Sequence, residues 1–216
     1  MNVQILLYDG FDELDGIGPY EVFDYADQYA DTAVSPSFVT LTETNQITAN
    51  HGTRIMPDGV LADPPGDAIA STDAIATADI PDLLVVPGGG WNDRDEEASA
   101  WAEAQRGDVP AALDDYHAAG VRIASVCTGS MLLAEAGITD GRRAATHASA
   151  AAELDESGAT VVDARVVDDG DLVSAGGITS GIELALYIVE QEFGDAVAEE
   201  IANVMEYERQ YDVAES

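Results

Sequence analysis

In the run Ser125-Val126-Cys127-Thr128-Gly129-Ser130 the chain's single cysteine stands where an apolar stretch, residues 121–126, gives way to a helical pattern over residues 128–136 that stops at Gly137. A strand that turns straight into a helix needs small residues around the bend, and Ser125 and Gly129 lie two before and two after the cysteine. At such an elbow the sulfur would sit at a helix N-terminus. The partial positive charge and free N–H groups there lower a thiol pKa and favour the thiolate. The chemistry is nucleophilic attack on an electrophilic carbon. A buried structural cysteine is the competing reading, and the junction position favours the nucleophile.

Two other strand ends offer partners for that thiol. Pro87-Gly88-Gly89-Gly90 follows the apolar residues 82–86, and its glycines let backbone N–H groups come close to a ligand. The loop would supply one donor of an oxyanion hole and the N–H of Thr128 the other, although a plain turn out of a strand looks the same in sequence. Leu14-Asp15-Gly16-Ile17-Gly18-Pro19 follows the first strand. Gly16 and Gly18 hint at a dinucleotide fingerprint, but Glu21 takes the third glycine's place, and Asp12, Glu13 and Asp15 would repel a pyrophosphate. Nucleotide binding is excluded. An acid here would instead reach the neighbouring strand end and share a proton with Cys127. Alternatively Asp15 caps the helix that begins near Pro19, from several residues too early.

The three histidines differ in placement. His51 falls in a hairpin loop and His117 on a polar helix face, both expected in solvent. His147, in Ala145-Thr146-His147-Ala148, follows a β-like run and would point towards the sheet end. A general base for Cys127 and a structural hydrogen-bonding residue are both open there.

Positioning these groups requires alternating strands and helices. The pattern predicts strands over residues 3–8, 37–41, 82–86 and 121–126, a hairpin over 46–56, and short strands at 160–162, 165–167 and 171–174. It predicts helices over 19–29, one or two within 95–119, then 128–136, 180–193 and 195–207, with a loop over 57–66. Fully apolar strands alternating with helices imply an α/β fold: a mostly parallel sheet covered by helices on both faces, with the active site at the carboxyl ends of the strands. No linker, repeat or low-complexity block divides the chain, so one domain over 1–216 is expected.

Composition narrows the setting. With 216 residues, 46% of them hydrophobic, the chain is long enough to bury roughly 70% of its unfolded surface. One cysteine cannot close a disulfide within the chain or build a cysteine-rich zinc site, and no apolar run approaches the roughly 18 residues of a membrane span. The N-terminus lacks a basic leader, so a cytoplasmic protein is expected. Asp and Glu number 42 against 8 basic residues, all arginine, for a net charge of -34 spread over the whole length. Such a body repels itself until salt near 1 M shortens the Debye length to about 3 Å, which points to the high-salt cytoplasm of a halophile. It would also repel phosphates, so no nucleic-acid partner is expected.

Taken in order, LLYDGFDELDGIGPYEVF, DLLVVPGGG, IASVCTGSMLLAEAGITDGRRAATH and LVSAGGITSGIELALYIV resemble the ThiJ/PfpI superfamily of class I glutamine amidotransferase-like, flavodoxin-like folds. Within it the isonitrile hydratase-like branch is the most similar. The resemblance implies a catalytic Cys127, Asp15 and Thr128, a backbone donor at Gly89, and a homodimer. It implies no metal and no organic cofactor. Peptidases and amidases of the superfamily place His directly after the cysteine, where this chain has Thr128. Isonitrile hydratase-like sequences commonly have Trp after the Thr-His pair, where this chain has Ala148.

The reaction implied is hydration of a small isonitrile: Cys127 attacks the terminal carbon, Asp15, its pKa raised beside the thiolate, donates a proton and then activates water, and Thr128 orients the water or the acid. Glyoxalase, deglycase or amidase chemistry on the same residues, and a non-enzymatic redox sensor using Cys127, are the alternatives. Related domains also serve as sensing halves of AraC-type regulators, but the roughly two dozen residues after Phe193 are too few and too acidic for a DNA-binding segment.

Overall fold

The computed structural model describes residues 1–62 and 80–215. Its strands, in chain order, are β1 (Asn2–Leu6), β2 (Ser35–Thr40), β3 (Ile47–Thr48), β4 (Arg54–Ile55), β5 (Gly59–Val60), β6 (Leu83–Val86), β7 (Arg122–Val126), β8 (Arg143–Ala144), β9 (Thr160–Val161), β10 (Val166–Asp168), β11 (Leu172–Ala175) and β12 (Val213–Glu215). The helices are α1 (Glu13–Tyr29), α2 (Ala100–Arg106), α3 (Asp108–Ala118), α4 (Gly129–Glu135), α5 (Ala151–Glu156), α6 (Ser180–Phe193) and α7 (Asp195–Val204).

Among the described residues eight strands form one sheet in the order β12-β10-β11-β7-β6-β1-β2-β5, in which only the β10–β11 pair is antiparallel. The central strands are apolar on both faces, with Val3, Ile5, Leu6, Leu83, Leu84, Val85, Val86, Ile123 and Ala124 fully buried, as a parallel sheet covered on two sides requires. Helices α1, α6 and α7 pack against one another, and so do α2, α3 and α4, so the sheet lies between two helical layers. This is the mostly parallel sheet between helical layers expected from the alternating pattern, in the flavodoxin-like form that the family resemblance implied.

Adjacent strands β1, β6, β7 and β11 run parallel in tight register, with Ile5 opposite Val85, Val86 opposite Ser125, and Val126 opposite Ala175. Their carboxyl ends therefore lie side by side. The segments that leave them are Leu7–Asp12, Pro87–Gly90, Cys127–Thr128 and Gly176–Thr179, and each carries part of the candidate site.

Several boundaries differ from the sequence expectation. Helix α1 begins at Glu13, six residues before Pro19, because Asp12 accepts the Leu14 N–H and caps it. Asp15 is therefore a residue of the first turn and not the cap. Pro19 lies inside the helix, where it has no N–H to give to the Asp15 carbonyl. The hairpin forms as expected, β3 pairing with β4 and Gly52 at φ +92° serving the turn. The expected helical stretch 95–119 divides into α2 and α3 at Gly107, at φ +83°. Helix α7 ends at Val204, earlier than the 207 expected, and the chain then returns to the sheet as β12, which the sequence pattern did not suggest. The end of the expected loop 57–66, from residue 63 on, lies outside the described residues.

Candidate active site

Cys127 occupies the bend between β7 and α4 with φ +57°, a left-handed conformation that side-chain-bearing residues seldom adopt. The surroundings determine it. Its N–H donates to the Gly176 carbonyl at 2.9 Å, and its own carbonyl accepts the Thr146 hydroxyl at 2.9 Å. Gly129 is required by contact: a Cβ there would lie 2.1 Å from the Val86 carbonyl oxygen. Behind the bend the Ser125 and Ser130 hydroxyls meet at 2.8 Å, and the Ser130 hydroxyl donates a hydrogen bond to the Ala145 carbonyl at 2.6 Å. Strain of this kind persists only where the surrounding structure holds it, and it concentrates at working sites.

Asp15, fully buried in the first turn of α1, lies against this thiol. One carboxyl oxygen accepts the Gly88 N–H at 3.0 Å. The other is buried without a conventional hydrogen-bond partner, and the Cys127 thiol is the side chain that the carboxyl meets. The Gly88 carbonyl in turn accepts the Asp12 N–H at 2.8 Å, so the glycine loop and the start of α1 are stitched together across β6 and β1. The Tyr8 hydroxyl steadies the same loop by donating to the Pro87 carbonyl at 2.8 Å.

Burial, and then the nearby Asp12 charge, hold the Asp15 pKa well above the usual carboxylate range against the Gly88 N–H and the thiol. Burial and the Asp15 carboxylate push the Cys127 thiol up to about 12, against the N–H groups of Thr128 and Ile178, which point at the sulfur. This corrects the expectation of a lowered thiol pKa. Helix α4 spans only seven residues, and its N-terminal field does not offset desolvation plus a neighbouring carboxylate. The carboxylate raises the thiol while the thiol's hydrogen bond lowers the carboxyl, so the two groups titrate as a coupled pair.

Thr128 is buried beside Cys127, and its Oγ1 accepts the Gly89 N–H at 3.0 Å. The backbone donor expected at Gly89 is therefore occupied by Thr128. The expected oxyanion pair is also altered at its other member, since the Thr128 N–H points at the sulfur. Ile178, which supplies the second N–H at the sulfur, was not among the candidates. Its signal was present in Ala175-Gly176-Gly177-Ile178, a glycine pair leaving an apolar strand just as the Pro87 loop does.

The cleft over Cys127 has a volume of ≈ 160 Å³ and is lined also by Asp12, Gly89, Trp91, Asn92, Thr128 and His147. His147 thus reaches the site, but its Nδ1 bonds Ser149, and no hydrogen bond joins the imidazole to the sulfur. His51 is exposed, its Nε2 3.6 Å from Asp12, while His117, expected in solvent, is half-buried and 3.1 Å from Asp171. Asp12, Glu13 and His51 bring three potential ligand atoms within 4.8 Å of one another at the edge of the cleft. Two N–H groups, from His51 and Thr53, already occupy the Glu13 carboxylate.

A strained cysteine at a strand-to-helix bend, a buried carboxyl from the first helix and a glycine loop between them occur here in a flavodoxin-like sheet, and the DJ-1/PfpI family model matches residues 1–191. The chain belongs to the DJ-1/PfpI family. It is 30% identical over 210 residues to the isonitrile hydratase of Pseudomonas putida, covering 96% of this chain and 78% of that one. It is 31% identical over 124 residues to protein DJ-1alpha of Drosophila melanogaster, covering 57% and 54%. Among solved structures, a ThiJ/PfpI family protein from Pseudomonas syringae superposes with a TM-score of 0.76 at 25% identity, covering 97% of this chain and 76% of that one. Schizosaccharomyces pombe DJ-1 gives 0.74 at 18% identity, covering 96% and 100%, a likeness of fold. Among the described residues no helix is long and apolar enough to cross a membrane.

Proposed function

We propose that this DJ-1/PfpI protein is a cofactor-independent cysteine enzyme of the isonitrile hydratase type, adding water to a small isonitrile to give the N-substituted formamide. The observation that carries the reading is the buried Asp15–Cys127 pair at the wall of the cleft, with two backbone N–H groups at the sulfur. Similarity along 96% of the chain to an isonitrile hydratase supports the substrate class. A cleft of ≈ 160 Å³ suits a small substrate, since pockets for drug-sized ligands are about 300–1,000 Å³.

The raised carboxyl makes Asp15 a stronger base than an ordinary aspartate, which suits removal of a proton from a thiol that does not ionise by itself. Asp15 takes the thiol proton as the sulfur bonds to the terminal carbon, then delivers it to that carbon, giving a thioimidate, R–N=CH–S–Cys127. Water adds to the C=N carbon and one of its protons ends on nitrogen. The adduct collapses as the C–S bond breaks, and the remaining hydroxyl proton returns through Asp15 to the sulfur. The sum is R–NC plus water to R–NH–CHO. Thr128, its Oγ1 already accepting the Gly89 N–H, has its hydroxyl proton left to orient the water.

The acidic composition supports a salt-loaded cytoplasm as the setting, and a homodimer is the assembly we propose. Purified protein in 2 M KCl with n-butyl isonitrile should produce the formamide proton signal by NMR, and Cys127→Ala should abolish it. Consumption of methylglyoxal without any formamide would move the same pair to 2-oxoaldehyde chemistry and overturn the isonitrile reading.

A further inference from the structure

His147 enters the cleft, yet the proposed reaction leaves it unused. Its hydrogen bonds decide which ring nitrogen carries the proton. The Ser149 N–H donates to Nδ1 at 3.2 Å, and the Ser149 hydroxyl lies 2.8 Å from the same nitrogen. That hydroxyl accepts from the Asn92 side-chain amide at 2.8 Å, so its own proton is free to go to Nδ1. Two donors converge on Nδ1, which must present its lone pair, and the neutral ring then carries its proton on Nε2. The edge bearing Nε2 lies over Gly177, where an added Cβ would be 3.7 Å from Nε2, directly before the Ile178 N–H that serves the sulfur.

We propose that His147 is a neutral Nε2–H donor to the substrate atom next to the carbon attacked by Cys127, and that Ser149 and Asn92 are positioning residues which fix this tautomer. This rests on the hydration reading and replaces the general-base role considered for His147. A base needs a lone pair facing the thiol, and the lone pair here faces Ser149. When water adds to the thioimidate carbon, negative charge develops on nitrogen, and an N–H donor placed there stabilises it without giving up its proton. The site accordingly favours small electrophiles in which the atom adjacent to the reacting carbon becomes a hydrogen-bond acceptor during the addition.

The clasp that holds Asn92 is built into the fold. Trp91 donates its indole N–H to Glu153 on α5 at 2.8 Å, and Arg94 pairs with the same carboxylate while stacking on Trp101. The loop after Gly90 is thereby tied to the segment that bears His147 and Ser149. A serine two residues after the histidine serves as both N–H and hydroxyl donor, and the histidine accepts its N–H as the N-cap of a short 3-10 turn, Ala148–Ala150.

Long-range proton–nitrogen NMR on protein labelled with ¹⁵N-histidine tests the tautomer without reference to activity. Spectra recorded above pH 8, where an imidazole is neutral, should show His147, identified by its loss in His147→Gln, with Nε2 protonated. A protonated Nδ1 in the wild type would overturn the proposal. Ser149→Ala should mix the tautomers and lower kcat on n-butyl isonitrile by about tenfold with little change in KM. An unchanged spectrum and unchanged kcat would remove Ser149 from the positioning role. His147→Gln, which keeps an N–H donor, should stay within about tenfold of wild type, and His147→Leu should lose on the order of 10²-fold. Equal rates in these two variants would overturn the donor role. Absence of all isonitrile turnover would instead overturn the hydration reading, with the spectrum still deciding the tautomer.

Discussion

Alkaline destabilisation of the fold through Cys127 is the sharpest test of the site's electrostatics. Burial and the Asp15 carboxylate raise the thiol from 9.0 to about 12. A thiol whose pKa is higher folded than unfolded favours the folded state while both forms are protonated. That contribution is lost as pH rises through the unfolded value towards the folded one. The loss runs at about 1.4 kcal/mol per pH unit, so three units amount to about 4 kcal/mol at full extent, of which about 2 kcal/mol falls between pH 9 and pH 11. Cys127→Ser keeps the size of the side chain and removes the titration, so the difference in unfolding free energy between wild type and variant isolates this group from the arginines and from the tyrosines other than Tyr8, whose phenol the Cys127 charge also raises. Urea denaturation in 2 M KCl at half-unit steps from pH 6 to pH 11 measures it. The difference should stay flat to about pH 8.5 and then turn against the wild type with the slope given. A thiol lowered by the helix N-terminus would show the opposite: a gain for the wild type between its depressed pKa and pH 8.5, and no change above. Either that pattern or a flat line throughout would refute a buried, carboxylate-repelled thiol.

Four further outcomes follow from the geometry. Asp15→Asn cannot exchange a proton and should lose 10² to about 10⁴ in rate. Its melting temperature should exceed that of wild type, with the gap opening as pH rises above about 4, because a carboxyl raised by folding costs stability once the unfolded group ionises. Gly129→Ala should fail to accumulate folded protein, judged by circular dichroism of the soluble fraction, since its Cβ would sit 2.1 Å from the Val86 oxygen. Thr128→Val removes the acceptor of the buried Gly89 N–H and should cost about 1–3 kcal/mol in urea unfolding at neutral pH. The melting temperature should rise from 0.1 to 2 M KCl as the net charge of -34 is screened, and a flat or falling series would withdraw the salt-adaptation reading.

Much of the fold was legible because its signals are local. The largely apolar runs 82–86 and 121–126 are followed by glycine or a helical pattern, and they became the central strands Leu83–Val86 and Arg122–Val126, each starting one residue later than expected. Helix α6 starts at Ser180 and ends at Phe193, where the periodicity starts and ends. The start of α1 was hidden because Pro19 is a strong first-turn signal, whereas the cap that operates is Asp12, one acid among several in the same stretch. β12 was hidden for a different reason. Val213–Glu215 is short, polar on one side and paired only at an edge, and no local pattern distinguishes it from a tail.

The site divides along the same line. Cys127 at the elbow and Asp15 in the first loop were readable, since a strand-to-helix junction and an acid after a strand are statements about neighbours in sequence. The sign of the thiol's shift was not, because it depends on which elements close over the sulfur. The N-terminus of α4 is visible in the sequence and lowers a thiol pKa. Burial beneath the cleft and a carboxyl delivered from α1 raise it, and both arise only once β1, β6 and β7 lie side by side. The roles of Gly88 and Gly89 follow the same logic. The glycine loop was read as supplying an oxyanion-hole donor, but its N–H groups face inward to Asp15 and Thr128, so they fix the acid and the hydroxyl rather than meet a ligand. What the elbow and the loop build together is a proton-holding pair supported by backbone donors. In the mechanism we propose, reactivity is set by the transfer of one proton from sulfur to carboxylate and not by a thiolate waiting at rest.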